Sequence, residues 1–140
     1  MRLLLTLFTA AALVVSIVAC SDSFSPTVEN VAGDYSLARL TTVTDTGGTD
    51  EWVPAGAVIT ISLDTNGTTT GHLFIPHGGE QGADLDADMA GTWTLTNGIV
   101  EFDQPNADTF VRDWAFTAVK NRLSAEHSVP GLRVIVALAK

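Results

Sequence analysis

Short segments in which apolar and polar side chains alternate recur along most of this chain. Residues 59–64 alternate isoleucine or leucine with threonine, serine and aspartate, and residues 132–138 place leucine and valine at every second position. Such period-two alternation is typical of half-buried β-strands. Asn66-Gly67 and Asn97-Gly98 lie between alternating segments, and they favour tight hairpins because both residues of each pair tolerate a positive φ. The pattern therefore predicts an all-β domain.

The connections between the alternating segments are mostly short, so successive strands are expected to pair antiparallel as an up-and-down meander. We predict about eight strands, at residues 33–44, 57–64, 68–75, 89–96, 99–104, 109–119, 122–128 and 132–139. Eight strands of this kind can close into a barrel, which removes the exposed edges. A two-sheet β-sandwich is the alternative that the pattern leaves open.

The first residues follow a different pattern. Arg2 supplies a positive start, residues 3–18 are almost unbroken apolar sequence, and polar sequence begins at Ser21. This arrangement is typical of a secretory signal. The intervening Ile17-Val18-Ala19-Cys20 resembles the lipobox of bacterial lipoproteins, which implies that Cys20 becomes the first mature residue and carries lipid. An uncleaved transmembrane anchor, which needs about 20 apolar residues, is the alternative.

The chain accordingly divides into a lipoprotein signal peptide at 1–19, a lipidated cysteine with a flexible tether at 20–30, and an all-β domain at 31–140. Cys20 is the only cysteine, so no intramolecular disulfide can form. We expect a cell-envelope protein held to the membrane by lipid on Cys20. Ser21, rather than aspartate, follows that cysteine, which in the sorting rule of enteric bacteria favours the outer membrane, with the domain in the periplasm or at the surface.

The charge balance excludes one class of partner. The chain has seven basic and 16 acidic side chains, for a formal net charge of −9, and loss of Arg2 with the signal would make the mature charge −10. Such a surface repels the phosphates of nucleic acid, so nucleic-acid binding is not expected.

Two short motifs suggest a family for the domain. Gly33-Asp34-Tyr35 resembles the Gly-x-Trp opening of lipocalins, with tyrosine in place of tryptophan, and Gly91-Thr92-Trp93 is similar to a motif of bacterial lipocalin-like lipoproteins. The resemblance implies an up-and-down barrel whose interior can hold a small apolar ligand. The chain lacks the tryptophan of the first strand and the disulfide.

Large aromatic residues on the predicted strands are the candidates for a ligand site. Trp93, Trp114 and Phe116 would line a cavity, or would simply pack the core, as aromatic residues on barrel strands usually do. Trp52 lies in a polar loop near a strand end. It would either rim a binding mouth or cover the core as a lid.

Arg112 shares the parity of Trp114 and Phe116 on the predicted strand 109–119, so we expect it to point inward with them. A buried arginine has to be paired or stacked. The lipocalin resemblance implies a structural clasp in which Arg112 stacks on Tyr35 or Trp93. An anion anchor inside the cavity is the functional alternative.

Asp84, Asp86 and Asp88 have the spacing of the first ligands of a calcium loop. The match ends there, since Met89 stands where that motif has glycine and Leu95 where it has glutamate. A solvated acidic loop explains the same residues, so calcium binding is a distant alternative.

No catalytic motif is recognisable in the sequence, and we expect neither an enzyme nor a cofactor. The first functional hypothesis is a lipid-anchored, lipocalin-like barrel that binds a small apolar ligand. The second is a structural or protein-interaction lipoprotein whose barrel is filled by side chains. An eight-stranded barrel permits both.

Overall fold

The computed structural model describes residues 23–106 and 109–140, and the predicted signal peptide and Cys20 lie outside the described residues. The described elements are a helical turn, α1 (Val28–Val31), two 3₁₀ turns (Glu80–Gly82 and Phe110–Asp113), and the strands β1 (Gly33–Thr44), β2 (Thr49–Glu51), β3 (Val58–Leu63), β4 (Thr68–Ile75), β5 (Leu85–Asp88), β6 (Gly91–Thr96), β7 (Ile99–Asp103), β8 (Ala115–Val119), β9 (Arg122–Val129) and β10 (Leu132–Ala139). No helix in this part of the chain is long and apolar enough to cross a bilayer.

Eight of the strands form one closed antiparallel barrel. The order around it is β1, β3, β4, β6, β7, β8, β9 and β10, and β10 closes the ring by pairing with β1 from Ser36 to Thr44. The predicted all-β meander is therefore confirmed, and the sandwich alternative is wrong. Because each strand pairs with its neighbour along the chain, short turns suffice for most connections.

The two remaining strands, β2 and β5, lie where two neighbouring strands of the barrel stop pairing with each other. β3 pairs with β1 only from Gly33 to Ser36, and β2 takes the same edge of β1 from Thr41 to Val43. β4 likewise pairs with β6 at Thr68 and Thr69 and with β5 further along. Both additions widen the sheet at one end of the barrel.

Gly71 lies at the point where β4 passes from β6 to β5. Its φ is +150°, and a side-chain Cβ there would overlap the backbone of Thr60 on β3. Its carbonyl accepts a hydrogen bond of 3.1 Å from the N–H of Met89, in the irregular step between β5 and β6. Only glycine fits this close approach without strain.

The two ends of the barrel differ, and we name them by their connections. The base is the end with turns 64–67, 97–98 and 120–121, the C-terminus and α1. The mouth is the end with connections 45–48, 52–57, 76–84, 104–114 and 130–131.

The base is closed by α1. Val31 at its end is 1% exposed, and the hydroxyl of Tyr35 donates a 2.6 Å hydrogen bond to the Val31 carbonyl. Lys140 donates from Nζ to the carbonyl of Asn30 at 3.1 Å. Pro26 lies over Gly98 in a base turn. Ordered contacts with the barrel thus begin within the stretch that the sequence predicted as tether.

Between the mouth connections and the base turns, the interior is filled by side chains, and we call this part of the barrel the filled half. Phe102 and Phe116 meet edge to face with ring centroids 5.4 Å apart, a favourable aromatic geometry. The fully buried apolar residues around them come from most strands of the barrel: Ile59, Ile61, Leu63, Leu73, Met89, Val100, Leu123, Val136 and Leu138.

The strand predicted for residues 109–119 is shorter in the structure. A 3₁₀ turn occupies Phe110–Asp113, and β8 begins only at Ala115. Phe110 and Trp114 are four residues apart, a spacing that places side chains on one face of a helical turn as well as on one face of a strand. Their ring centroids are 4.8 Å apart, because both side chains lie on the same face of this helical turn.

Candidate functional site

An apolar cavity of about 300 Å³ lies at the mouth of the barrel. Its walls are aliphatic and aromatic, with the Thr42 hydroxyl as a polar group, and are formed by Leu40, Thr42, Trp52, Ile75, Gly78, Leu85, Phe110, Trp114, Leu132 and Val134. The volume is at the lower end of the roughly 300–1,000 Å³ of ligand pockets. This cavity is the candidate site.

An irregularity in β1 turns two of the lining residues inward. The register of β1 against β10 shifts between Leu37 and Arg39. Before the shift Tyr35 faces the interior, and after it Leu40 is the buried residue. The extra residue changes the inward parity of the strand, so Thr42, two residues beyond Leu40, lies on the inner wall of the mouth.

Trp52 is fixed at the rim on one side of the cavity. Its indole Nε1 donates a 3.0 Å hydrogen bond to the hydroxyl oxygen of Thr42, and its backbone N–H donates to the Leu40 carbonyl at 2.9 Å. The ring is half-buried and packs against the core. The structure therefore places Trp52 in the wall of a mouth, with its polar atom satisfied.

Trp114 belongs to an aromatic stack in the same cavity wall. Its ring lies between Phe110, at 4.8 Å, and His127, which is nearly parallel to it at 5.2 Å and 16°. Trp114 is half-buried, and His127 is exposed. The stack holds a large apolar face at the mouth, where the 3₁₀ turn replaces strand pairing.

The structure does not bring Trp93 and Phe116 to this cavity. Trp93 is 4% exposed, and its Nε1 donates a 2.8 Å hydrogen bond to the Asp64 carbonyl in a base turn. Phe116 is fully buried against Phe102. Both side chains pack the filled half of the barrel.

The expectation that Arg112 points inward is wrong, because the 3₁₀ turn breaks the strand parity on which it depended. Arg112 donates from Nε and Nη2 to the two carboxylate oxygens of Asp113, at 3.0 and 3.1 Å. Hydrogen bonding and charge attraction raise the pKa of Arg112 and lower the pKa of Asp113. The cation over the Tyr35 ring is instead Lys140, whose Nζ is 5.5 Å from the ring centroid.

A depression of about 400 Å³ lies beside the Arg112–Asp113 pair. Thr92, Thr94, Glu101 and Asp103, which are largely exposed, line it, so it lies on the outer face of β6 and β7. Trp114 and Ala115 also line it, so about half of its wall is polar, and it offers a ligand less apolar surface than the mouth cavity does.

Asp84, Asp86 and Asp88 do not converge on a common point. Asp84 accepts a 2.9 Å hydrogen bond from the backbone N–H of His77, and Asp88 accepts one of 2.7 Å from a backbone N–H two residues on. Asp86 lies 3.7 Å from Nδ1 of His72. Among residues 23–106 and 109–140, no group of three or more acidic, histidine or cysteine side chains is placed to hold a metal ion.

Most of the cavity wall could not be singled out from the sequence. Leu132 and Val134 alternate on β10 just as the core residues Val136 and Leu138 do, and only their position beyond the filled half makes them cavity residues.

Comparison with protein-family models, with curated proteins and with solved structures found no match for this chain.

Proposed function

We propose that this protein is a lipid-anchored lipoprotein of the bacterial cell envelope whose barrel binds a small apolar ligand at its mouth. The observation that carries the ligand-binding part is the apolar cavity that Trp52 and Trp114 help to line. An apolar concave surface gains free energy when a ligand displaces water from it.

The cavity walls are held in place before any ligand arrives. Trp52 is held by its hydrogen bond to Thr42, and Trp114 by its stacking with Phe110 and His127. A ligand therefore does not have to order these side chains, which lowers the entropic cost of binding. The same rigidity favours a rigid or short-chain ligand.

The volume limits the size of that ligand. A cavity of about 300 Å³ has room for on the order of ten non-hydrogen atoms, if each takes the roughly 30 Å³ of a water molecule in the liquid. The filled half stops a longer chain from entering further. We propose a ligand of the size of a decyl chain or one or two fused rings.

The envelope part of the proposal is supported by Ile17-Val18-Ala19-Cys20 and by the position of Phe24 at the base of the barrel. Phe24 packs against the core, and it lines a depression together with Lys120 and Asn121 of a base turn. Cys20 is four residues from Phe24, so a lipid on it would lie within about 15 Å of the base. The mouth would then face away from the membrane.

Ligand binding can be tested with N-phenylnaphthylamine, an uncharged apolar fluorophore whose two-ring naphthyl group has the proposed ligand size and whose phenyl ring can extend out of the open cavity. The barrel, its core and α1 lie within residues 24–140, so residues 21–140 secreted without the anchor are the material. We expect a saturable rise in fluorescence that Trp114→Ala abolishes and that Val119→Ala leaves unchanged, since Val119 is an exposed apolar residue next to a base turn. Absence of saturation, or equal binding by Trp114→Ala, would favour a filled barrel that acts through its outer surface.

Lipidation can be tested with the full chain expressed in a bacterium that is fed an alkynyl fatty acid. We expect label on the native chain and none on Cys20→Ala, with an equivalent change at Ser21 as the control. A Cys20→Ala chain that stays in the membrane at unchanged mass would instead indicate an uncleaved anchor.

A further inference from the structure

Charge is distributed unevenly between the two ends of the barrel. At the base, Glu29 and Asp64 are balanced by Lys120 and Lys140. The described mouth connections, together with β2 and β5, contain no lysine and carry many carboxylates: Asp45, Asp50, Glu51, Glu80, Asp84, Asp86, Asp88 and Asp113. The negative charge is therefore concentrated at the mouth.

The arginines at the mouth end offset only some of these carboxylates. Arg112 is paired with Asp113 at 3.0 Å. Arg133, near the mouth end of β10, is paired with Glu126 on β9 at 3.3 Å. Arg39 on β1 is linked to Glu51 through the Thr41 hydroxyl, by hydrogen bonds of 2.9 and 2.8 Å. Arginines thus offset Asp113 and Glu51, and the carboxylates left in excess over lysine and arginine are Asp45, Asp50, Glu80, Asp84, Asp86 and Asp88.

Several of the carboxylates lie next to the apolar cavity. A polar depression adjoins the cavity and shares Gly78 and Leu85 with it, and Glu80, Asp84 and Asp86 line that depression. The carboxylates do not form the apolar pocket itself. They set the electrostatic potential at its entrance.

The rim tryptophans are also next to acidic residues in the chain. Glu51 precedes Trp52, and Asp113 precedes Trp114. Both tryptophans line the cavity, but each of these two carboxylates has an arginine close by. The excess negative charge near the cavity lies instead on connection 76–84, on β2 and on β5. Several like charges beside a low-dielectric wall produce a potential that ligands of the opposite sign follow and ligands of the same sign avoid.

We infer that the mouth cavity selects its ligand by charge, accepting apolar molecules with a neutral or cationic head group and rejecting anionic ones such as free fatty acids. This inference rests on the proposed function, because it concerns the same cavity. The apolar walls supply the binding free energy for all three kinds of ligand, and the acidic entrance separates them. The effect should be strong at low salt, where the Debye length is roughly 30 Å, and weak near 1 M, where it is roughly 3 Å.

Three ligands with a ten-carbon chain test the inference: decyltrimethylammonium, decanol and decanoate. Each competes with N-phenylnaphthylamine for residues 21–140 at neutral pH, with the two ions below their micelle concentrations and decanol below its solubility limit. At about 10 mM salt we expect decyltrimethylammonium to bind on the order of tenfold more tightly than decanoate, with decanol between them. Near 1 M salt the ratio should approach one.

A pair of double variants locates the charge that matters. Asp50→Asn/Glu80→Gln neutralises two exposed carboxylates at the mouth, and Glu29→Gln/Glu101→Gln neutralises two exposed carboxylates elsewhere with the same change in net charge. We expect the first variant to reduce the cation-to-anion ratio by about threefold at low salt, and the second to leave it nearly unchanged.

The outcomes separate the two proposals. If decanoate binds as tightly as decyltrimethylammonium at low salt, or if both double variants change the ratio equally, charge selection at the mouth is wrong while ligand binding stands. If none of the three ligands binds and N-phenylnaphthylamine does not bind either, the proposed function fails and the inference fails with it.

Discussion

The base and the mouth of this barrel are built by the same eight strands and yet differ in packing, closure and charge. At the base, Phe116 and its neighbours fill the interior and α1 covers the end. At the mouth, β2 and β5 take over edges of β1 and β4, a 3₁₀ turn replaces part of β8, and a cavity of about 300 Å³ opens between the walls. Under the proposed function, the base would provide stability and the mouth would provide ligand binding.

The largest effect is expected from truncating the base core. Phe116→Ala should lower the free energy of unfolding by about 3–5 kcal/mol, because a fully buried aromatic side chain leaves a cavity that the barrel cannot close. Urea denaturation followed by far-ultraviolet circular dichroism measures the change. Whatever fraction stays folded should still bind N-phenylnaphthylamine with native affinity. A cost below about 1 kcal/mol would show that the filled half is not the stabilising half.

Trp114→Ala should lower stability less than Phe116→Ala does, and it should weaken ligand binding more. The ring is half-buried and open to water on one side, so we expect a loss of only about 1–2 kcal/mol, mainly from the aromatic contacts with Phe110 and His127. Binding of N-phenylnaphthylamine should fall at least about tenfold, since each 1.4 kcal/mol of lost contact is tenfold in affinity. A stability loss as large as that of Phe116→Ala with unchanged binding would reverse the roles of the two ends.

Tyr35→Phe examines how the base is closed. Loss of the hydrogen bond to the Val31 carbonyl should cost about 1 kcal/mol. Burial raises the pKa of Tyr35 above its usual value of 10.0, so the folded state retains a proton that the unfolded state loses first. The native protein should therefore lose stability as the pH rises past about 10.

Tyr35 is the only tyrosine in the chain, so no other tyrosine contributes to the difference in pH dependence between the native protein and Tyr35→Phe. Denaturation midpoints of the native protein and Tyr35→Phe should converge as the pH rises through that range. A constant difference between them at all pH values would show that the ionisation of Tyr35 does not affect closure of the base.

The smallest effect is expected from Arg112→Ala. The Arg112–Asp113 pair lies on the outer surface, where exposed ion pairs contribute little to stability. Neither the urea midpoint nor the affinity for N-phenylnaphthylamine should change measurably. A large loss of stability would contradict the exposed position of Arg112 and would support the inward orientation that the strand parity predicted.

The sequence predicted the barrel strands better than the elements that shape the mouth. The predicted segments 68–75 and 132–139 coincide with β4 and β10, because alternation, Asn-Gly and Pro-Gly turns all agree there. β2 and β5 were not predicted. β2 has only three residues, all exposed, and therefore has no apolar alternation to detect.

The candidate site was predicted only in part, for related reasons. Trp52 and Trp114 were recognisable because tryptophan is conspicuous, yet Trp93 and Phe116 were equally so and lie in the filled half. Leu40 and Thr42 reach the cavity through a register shift in β1, and the sequence pattern does not show where a strand shifts. Long-range geometry, rather than residue type, separates cavity from core.

The central claim, that ligand binds at the mouth and leaves the base unaffected, can be tested on the three tryptophans directly. Their indole N–H groups give separate signals in a nitrogen–proton correlation spectrum of isotope-labelled residues 21–140, assigned by single Trp→Phe variants. During a titration with N-phenylnaphthylamine, the signals of Trp52 and Trp114 should shift along a common saturation curve while the signal of Trp93 stays in place. Shifts at Trp93 alone, or at none of the three, would contradict the account.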